Sequence, residues 1–370
     1  MDKKVTIFLP VYKTPKFAYD IINKFLKNGY KNKEIIVIVD GDTNPDIESA
    51  IKPVKNKIKL IYNNERLGKS ASLNKATRMC SEDSEIFLFL DNDIELPENN
   101  VFLDKIVDDL TRSDLAEIPK EGIVTNFMSK VMFYEFLNFS MATYIISKLT
   151  KRCPAMNGAA FAVKRELFEK LEGFRGVINE DMDFAARAFK KNAKFSYNRH
   201  LKVKVDVQHS LKEWFVQRKR WALDNVLWLK HHFDIIVPGI FKYPHVIFSG
   251  LILFAPLLSY VIAYYILHNL RVGSVMPVFL MIISNYHIAA GLLLWFAHFH
   301  LYSQGFIYVF LGLGVSVLVY LGFSIFYRVR FYFLPFVIYY FIYSPVCALA
   351  NIIMAVFLLL NIKVKLDWKV

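Results

Sequence analysis

Cysteine is scarce in this sequence. The chain of 370 residues has three cysteines, Cys80, Cys153 and Cys347, and they lie far apart. No two of them have the close spacing of zinc ligands, and disulfide frameworks occur in short chains that are rich in cysteine. The sequence therefore argues against a disulfide-stabilised scaffold and against a structural zinc site.

Charged side chains are scarce in the last third of the chain. Between Pro244 and Val370 there are six basic residues and one acidic residue, although charged residues make up 21% of the whole sequence. The mean hydropathy of +0.30 is accordingly above that of an ordinary soluble domain. The chain thus divides into a charged part that resembles a soluble domain and an apolar part that resembles a membrane domain.

The apolar part contains uncharged runs of about 20 residues, the length that a membrane-spanning helix requires. These runs are 246–267, 275–296 and 306–327, followed by a longer run at 331–360 that two prolines interrupt. We expect four membrane segments. Basic residues flank the last run on both sides, so the positive-inside rule also allows one segment to lie in the interface instead of crossing.

The beginning of the chain lacks the long apolar run of a secretory signal. Val5–Val11 is too short and contains Pro10, so it predicts a strand. We expect a cytosolic first domain in an integral protein of the plasma membrane. The net charge of +13 comes from scattered basic residues, which favours contact with anionic membrane lipids over nucleic-acid binding.

Three short apolar runs in the first domain predict strands. They are Val5–Val11, Glu34–Val39 and Ile86–Leu90, and helix-like stretches separate them. This alternation predicts a mostly parallel α/β sheet. Because ligands of such sheets bind beyond the carboxyl ends of the strands, the residues at those ends are the candidates for a site.

Carboxylates directly follow two of the predicted strands. Asp40 and Asp42 follow the second strand, and Asp91 and Asp93 follow the third. Two acids after a buried strand repel each other unless a cation lies nearby, and hard oxygen ligands suit Mg²⁺ or Mn²⁺. We predict a metal site at Asp91 and Asp93 that binds a diphosphate. The alternative is a turn or cap, since Asp favours turns.

Three further groups have chemistry suited to a ligand at this edge. Lys69 follows Gly68 at the start of a predicted helix, where it could face phosphate oxygens. Gly158 lies in a run of small residues that lets a ligand approach the backbone. Glu180 and Asp181 open a predicted helix, and one of them could be a general base. The structural alternatives are a surface turn, a tightly packed strand and a helix cap.

The segment Gln217-Arg218-Lys219-Arg220-Trp221 lies on a helix predicted over 211–229. Guanidinium groups suit diphosphate oxygens, and the Trp221 ring could stack on a sugar. The alternative is a basic amphipathic helix on the membrane surface. Opposite faces of one helix could serve both purposes.

The order of these motifs resembles that of the family 2 glycosyltransferases. Within that family it resembles the processive membrane branch that includes hyaluronan, chitin and cellulose synthases. The resemblance covers about residues 5–229 and rests on five matches in family order: Val39-Asp40-Gly41-Asp42, Gly68-Lys69, Asp91-x-Asp93, Glu180-Asp181 and Gln217-x-x-Arg220-Trp221. The sequence departs from the pattern at Asp224, where the family often has glycine.

The resemblance implies an α/β fold of the GT-A (Rossmann-like) type over residues 1–232, followed by an α-helical transmembrane domain over 233–370. It implies a metal-dependent, inverting transferase that uses a nucleotide-sugar donor, with a UDP-sugar as the expected donor and Mg²⁺ or Mn²⁺ as the cofactor.

The resemblance also implies roles for individual residues. Asp40 would contact the nucleoside, with Lys69 and Asp91 helping to hold the nucleotide and Asp93 holding the metal. Asp181 would be the base. On the last helix, Gln217 and Arg220 would cover the diphosphate, and Trp221 would stack under the acceptor sugar.

The acceptor is left open by the sequence. The last motif favours a growing polysaccharide that passes through the membrane helices. The short apolar part also suits a non-processive transferase that acts on a membrane lipid or a polyprenyl phosphate. A third possibility is a transporter or receptor with a nucleotide-sensing domain, which would need ionisable groups inside the spans, such as His268 or His287.

Overall fold

The computed structural model describes residues 3–42, 45–207, 210–244, 265, 290–362 and 364, with side chains described outside 290–308. The chain divides into two compact units. The first comprises Met1–Ser249 together with Cys347–Val370, and the second comprises Gly250–Val346.

Ten strands are described in the first unit. They are β1 (Lys4–Val11), β2 (Lys33–Val39), β3 (Lys59–Tyr62), β4 (Ser84–Leu90), β5 (Ile94–Glu95), β6 (Leu115–Glu117), β7 (Lys120–Gly122), β8 (Ala160–Lys164), β9 (Phe195–Tyr197) and β10 (Val203–Val205). Seven of them form one sheet in the order β3-β2-β1-β4-β8-β6-β9, and the other three form a small sheet in the order β5-β10-β7.

Nine α-helices surround these strands in the described part of the first unit before residue 245. They are α1 (Ala18–Lys27), α2 (Pro45–Ile51), α3 (Lys69–Arg78), α4 (Phe102–Arg112), α5 (Phe127–Thr150), α6 (Arg165–Lys170), α7 (Glu180–Lys190), α8 (Leu211–His231) and α9 (Phe233–Lys242).

The predicted parallel sheet is confirmed for the first four strands. β1 pairs in parallel with both β2 and β4, and β2 pairs in parallel with β3. The small-residue run predicted as a strand is β8, but β8 runs antiparallel to β4 and to β6. The sheet is therefore mixed, and the chain segment before β8 comes to the same edge as the carboxyl end of β4.

Side chains alternate between two cores along the central strands, as the period of two in a strand requires. On β1, Val5, Ile7 and Leu9 belong to the aliphatic core under α1 and α4. Phe8 points to the opposite face, where its ring lies 5.1 Å from that of Phe89. Each fully buried side chain of this size stabilises the fold by about 2 kcal/mol.

The aromatic core fixes α6 and α7 against the sheet. The Phe89 ring lies 5.4 Å from that of Phe168 on α6, and the Phe168 ring lies 5.6 Å from that of Phe184 on α7. Phe184 is one turn beyond the start of α7. This packing therefore holds the first turn of α7, which carries Glu180 and Asp181, near the strand ends.

The helices predicted in the first domain are confirmed within a few residues. Two of the helix-like stretches between the predicted strands are α1 and α3, the helix predicted to open with Glu180 and Asp181 is α7, and the helix predicted over 211–229 is α8. In α1 the buried residues Ala18, Ile21, Ile22 and Phe25 lie on one face, which is the pattern of an amphipathic helix. In α7, by contrast, every residue from Asp183 to Phe189 is buried.

Two described helical stretches are long and apolar enough to cross a membrane. They are Val309–Tyr327, within α10 (Ala290–Tyr327), and Phe333–Leu359, which comprises α11 (Phe333–Ile338), a π-helical turn (Tyr339–Tyr343) and α12 (Ser344–Leu359). The predicted runs at 306–327 and 331–360 are thus helical. The run at 246–267 lies outside the described residues apart from residue 265, and so does 275–289 of the second run; residues 290–296 belong to α10. His268 and His287 also lie outside them.

The C-terminal part of α12 packs against α8 in the first unit. Met354 of α12 forms a small buried cluster with Ala222 and Leu223 of α8. Asn225 Nδ2 on α8 also donates a hydrogen bond to Asn351 Oδ1 at 3.2 Å. One face of the helix that carries the Gln217–Trp221 motif is therefore covered by an apolar helix.

Candidate active site

Acidic and small residues from separate segments meet at one edge of the seven-stranded sheet. Asp40 and Asp91 follow the parallel strands β2 and β4, so both lie at the carboxyl end of the sheet. The residues before the antiparallel strand β8 reach the same edge, where Asp91 N donates to Ala159 O at 2.8 Å. This is the edge at which α/β sheets bind ligands.

Asp40 holds the loop that leads into α3. Its Oδ1 atom accepts from the backbone N–H of Leu67 at 2.7 Å and from Asn63 Nδ2 at 3.1 Å, and its Oδ2 atom accepts from Gly68 N at 3.0 Å. Gly68 has a φ of +93°, which favours glycine. The buried carboxylate of Asp40 therefore fixes the backbone just before Lys69, the first residue of α3. Asp42 is exposed nearby.

Lys69 joins two of the predicted acidic motifs. Its Nζ atom lies 2.8 Å from Asp91 Oδ1 and 2.9 Å from Glu180 Oε1. Burial alone would lower the pKa of Lys69, but the charges of Asp91, Glu180 and Asp181 outweigh it and hold that pKa well above its ordinary value. Lys69 is therefore a permanent cation between carboxylates that lie far apart in the sequence.

Glu180 and Asp181 differ in their surroundings. Burial raises the pKa of Glu180, and the positive charge of Lys69 opposes this shift because it stabilises the ionised carboxylate. The Oδ2 atom of Asp181 accepts from Gly158 N at 2.5 Å, and its Oδ1 atom accepts from Met182 N at 2.7 Å. Two backbone N–H donors fix the Asp181 carboxylate in one orientation.

Gly158 is in close contact with Asp181. A Cβ atom added at Gly158 would lie 2.5 Å from both Cβ and Oδ2 of Asp181. No side chain fits there without moving the carboxylate. The small residue predicted to admit a ligand thus also has a second role, which is to make room for Asp181.

Asp93 has the properties expected of a cation ligand. Its Oδ1 atom is buried and has no hydrogen-bond partner among the described residues. Burial and then the charge of Asp91 raise the pKa of Asp93, and the nearby lysines Lys16, Lys69 and Lys120 only partly offset them. In the described part of the chain no three His, Cys, Asp or Glu residues cluster as a metal site. Two carboxylates, those of Asp91 and Asp93, are nevertheless enough for a metal of the Mg²⁺ type, which commonly takes one or two carboxylates and completes its shell with substrate phosphates.

Lys120 and Glu117 belong to this site although no motif in the sequence marked them. Burial lowers the pKa of Lys120, and the charges of Glu117, Asp181, Asp91 and Asp93 oppose that shift. Burial raises the pKa of Glu117 to about 8, and its Oε2 atom has no hydrogen-bond partner in the described regions. Lys120 lies on β7, which pairs with β10 in the small sheet, and a pairing between distant segments leaves no mark in the spacing along the chain.

One face of α8 points toward the start of α7. Gln217, Arg220, Trp221 and Asp224 follow the i, i+3, i+4, i+7 spacing of a single helical face. One turn further, Trp228 Nε1 donates to Met182 O at 3.1 Å and fastens α8 to the first turn of α7. The face of α8 that carries the Gln217–Trp221 motif is therefore the face that meets α7, at Trp228.

Arg218 lies apart from this group. It is buried and forms an ion pair with Glu135 of α5, and its guanidinium lies 4.1 Å from the centroid of the Trp221 ring. The sequence predicts that two arginines of α8 bind the diphosphate. Arg220 lies on the face toward α7. Arg218 is instead paired with Glu135 of α5 and packs on the Trp221 ring.

A buried network holds the remaining part of α7. Asp183 Oδ1 lies 3.1 Å from His232 Nε2, and Asp183 Oδ2 accepts from Arg187 Nε at 2.7 Å. Arg187 also donates to the carbonyl oxygen of Gly173 at 2.9 Å. Because His232 follows α8, this network ties the ends of both helices together.

The first part of the chain has the GT-A fold, a Rossmann-like α/β domain with a mixed sheet, as expected from the sequence. The mannosyltransferase PcManGT from Pyrobaculum calidifontis, solved in complex with GDP-Man and Mn²⁺, is similar with a TM-score of 0.52 and 20% sequence identity, over 84% of each chain. At that identity the likeness shows the fold.

Residues 6–172 match the family model described as glycosyl transferase family 2. Over 103 residues the chain is also 24% identical to "Glycosyltransferase GlyG" of Streptococcus pneumoniae serotype 4 (strain ATCC BAA-334 / TIGR4), which is 27% of this chain and 34% of that relative. The chain thus spans about a third of the length of the curated relative it matches. The family match includes Asp40, Lys69, Asp91, Asp93 and Gly158.

We predict that Gly158→Ala lowers the rate of sugar transfer and leaves the binding of a nucleoside diphosphate unchanged. The new methyl group displaces the carboxylate of Asp181, which the sequence predicts to be the general base, so kcat for sugar transfer should fall by about 10- to 100-fold, because a small misplacement of such a group has effects of this size. Binding of a nucleoside diphosphate, measured by equilibrium titration, should be unchanged.

The control for that variant is Gly176→Ala, because a Cβ atom at Gly176 meets nothing within 4 Å. Equal kcat values for the two variants and the unmodified chain would contradict the role assigned to Gly158.

We also predict that Asp224→Asn stabilises the protein at high pH. Burial, opposed by Arg220 and reinforced by Asp181 and Glu180, raises the pKa of Asp224 from 3.8 to about 7. Between these values the native carboxyl keeps a proton that the unfolded chain has lost, so Asp224 makes stability fall as the pH rises from about 4 to about 7. The asparagine variant has no such titration. Its free energy of unfolding should exceed that of the unmodified protein by about 2–4 kcal/mol at pH 8 and should equal it at pH 4.

Thermal unfolding in detergent across this pH range measures the difference. Asp234→Asn is the matched control, because the side chain of Asp234 is 64% exposed. A difference between Asp224→Asn and the unmodified protein that stays constant with pH would show that Asp224 is not a buried, raised-pKa acid.

Proposed function

We propose that this chain is a membrane-bound inverting glycosyltransferase that transfers a sugar from a nucleotide-sugar, most simply a UDP-sugar, to a growing polysaccharide. The observation that carries the proposal is the convergence of Lys69, Asp91 and Glu180 beside Asp181 at the carboxyl-end edge of the sheet. The match of residues 6–172 to the family 2 model supports the same reaction class.

The donor would occupy the edge between α3 and the acidic loop after β4. Lys69 at the N-terminus of α3 presents a permanent cation to the diphosphate, and the helix terminus itself favours anions. Arg220 on α8 would approach the diphosphate from the other side, where a guanidinium pairs well with phosphate oxygens. Asp40 holds the loop before Lys69, and we expect the nucleoside to bind beside it.

A divalent metal fits this arrangement. Asp93, with its buried and unpartnered Oδ1 atom, and Asp91 would hold Mg²⁺ or Mn²⁺. When bound, such an ion neutralises the negative charge that develops on the leaving diphosphate.

Asp181 is the group that we assign as the general base. It takes the proton of the acceptor hydroxyl, whose oxygen then bonds to the anomeric carbon of the donor sugar. The bond from that carbon to the diphosphate oxygen breaks, and the nucleoside diphosphate leaves. A single displacement inverts the configuration. The two backbone N–H groups on Asp181 keep its carboxylate aimed while the proton moves.

The second candidate is a non-processive transferase with a membrane lipid or polyprenyl phosphate as its acceptor. The observation that favours a lipid acceptor is the packing of the apolar helix α12 against α8, the helix that carries the Gln217–Trp221 motif. An apolar surface next to α8 suits a lipid acceptor, and it also suits a glycan that leaves the site toward the membrane. Trp221, held by Arg218 on one side, favours the polysaccharide because its ring offers a sugar a flat surface.

We predict that Asp181→Asn abolishes transfer and leaves donor binding intact. Loss of a general base costs about 10²- to 10⁴-fold in rate. Donor binding should survive because the diphosphate is assigned to Lys69, Arg220 and the metal, and not to Asp181. Release of nucleoside diphosphate from a panel of UDP- and GDP-sugars, with Mg²⁺ and Mn²⁺ compared, measures the reaction. Equilibrium titration of the same donors measures binding.

The matched control for Asp181→Asn is Asp234→Asn, which removes an exposed ion pair with Lys190. If Asp181→Asn transfers sugar at the rate of this control, Asp181 is not the base.

The size of the product distinguishes the two acceptor classes. Electrophoresis of a radiolabelled product should show a long polymer made without a lipid primer. A single sugar on a product that extracts into organic solvent would instead support the lipid acceptor.

A further inference from the structure

Asp224 is the acidic residue of the site that the proposed reaction does not use. It is 8% exposed and lies on α8 one turn beyond Trp221. Its Oδ2 atom is 3.9 Å from Arg220 Nε, which is too long for a hydrogen bond. Its Oδ1 atom is buried and has no hydrogen-bond partner in the part of the chain that the structure describes. A buried carboxyl oxygen without a donor is costly, so its retention calls for an explanation.

Asp224 lies on the face of α8 that is turned toward the acidic start of α7, because Trp228, four residues further on the same face, bonds to the first turn of α7. The charges of Asp181 and Glu180 also act on Asp224 and add to the rise of its pKa. The hydrogen bond from Trp228 to Met182 O fixes α8 at this distance from α7. Asp224 is therefore held beside the proposed base, on the side of α8.

The chemistry of this space suits a neutral hydroxyl compound. A sugar ring binds well where an aromatic face adjoins hydrogen-bond acceptors, and Trp221 and Asp224 supply this pair on one helical face. A glycan end brings hydroxyl donors, which are what the buried and unpartnered Oδ1 atom of Asp224 lacks.

We propose that Asp224 binds a hydroxyl group of the acceptor, next to the hydroxyl that Asp181 deprotonates, and that the acceptor is therefore a glycan end. This inference rests on the proposed function, since it assigns the acceptor of that same reaction. Asp224 is thus a specificity-determining residue, and it moves no proton in the reaction.

The test uses the full chain in detergent with Asp224→Ala and Asp224→Asn. Alanine keeps the helix because it has the highest helix propensity. Two reactions are measured with the same nucleotide-sugar: transfer to short neutral oligosaccharides or to a polyprenyl phosphate in mixed micelles, and donor hydrolysis by water without an acceptor.

We expect Asp224→Ala to raise the KM for the oligosaccharide by about 10- to 100-fold, which corresponds to about 1.4–2.7 kcal/mol at 1.36 kcal/mol per tenfold change. Asp224→Asn, which retains the Oδ1 acceptor, should raise it less. Donor hydrolysis should stay within about twofold, because water needs no second hydroxyl contact. A merely structural role would lower hydrolysis and transfer together.

Two results would overturn the inference and leave the proposed function standing. One is an oligosaccharide KM in Asp224→Ala equal to that of the control Asp234→Asn. The other is an unmodified chain that transfers sugar to polyprenyl phosphate alone. If the unmodified chain neither binds nor hydrolyses any nucleotide-sugar, the proposed function itself fails, and the inference fails with it.

Discussion

The ion pairs of Lys69 with Asp91 and Glu180 are the constraint on which the rest of the site depends. These contacts join the end of β4 to the start of α7 through the first residue of α3. Without a cation there, the buried acids would repel one another and take up protons. Removing Lys69 would leave the charge of Glu180, whose side chain is 9% exposed, without a partner, and burial would then favour its protonated form. Asp40 therefore matters indirectly, since its carboxylate fixes the loop from which Lys69 extends.

The helix α8 connects this acidic edge to the apolar part of the chain. One of its faces carries Trp221 and Asp224 toward the start of α7, and another packs Ala222 and Leu223 against Met354 of α12. The sequence allowed a substrate-binding helix or a membrane-surface helix. The structure gives α8 two occupied faces, which is how one helix could serve both purposes. A change in the apolar helix α12 would therefore act on the acceptor side of the site through α8.

The strands, the helices and the acids at the strand ends could be predicted from the sequence because their signals are local. A buried strand followed by Asp91 and Asp93 is a pattern of a few adjacent residues. Lys120 could not be predicted, because it enters the site only through strand pairing in the small sheet. The burial of Asp224 depends on which face of α8 meets α7, and the antiparallel direction of β8 leaves no mark on a strand pattern. In each case the missing information is a contact between segments that are distant in sequence.

The most direct test of the account is an experimental structure of the full chain with a nucleotide-sugar donor and Mn²⁺. We expect the diphosphate between Lys69 and Arg220, the metal on Asp93, and the face of the sugar opposite the diphosphate turned toward Asp181. A donor bound away from the carboxyl-end edge of the sheet, or one whose diphosphate lies against Asp181, would contradict the account.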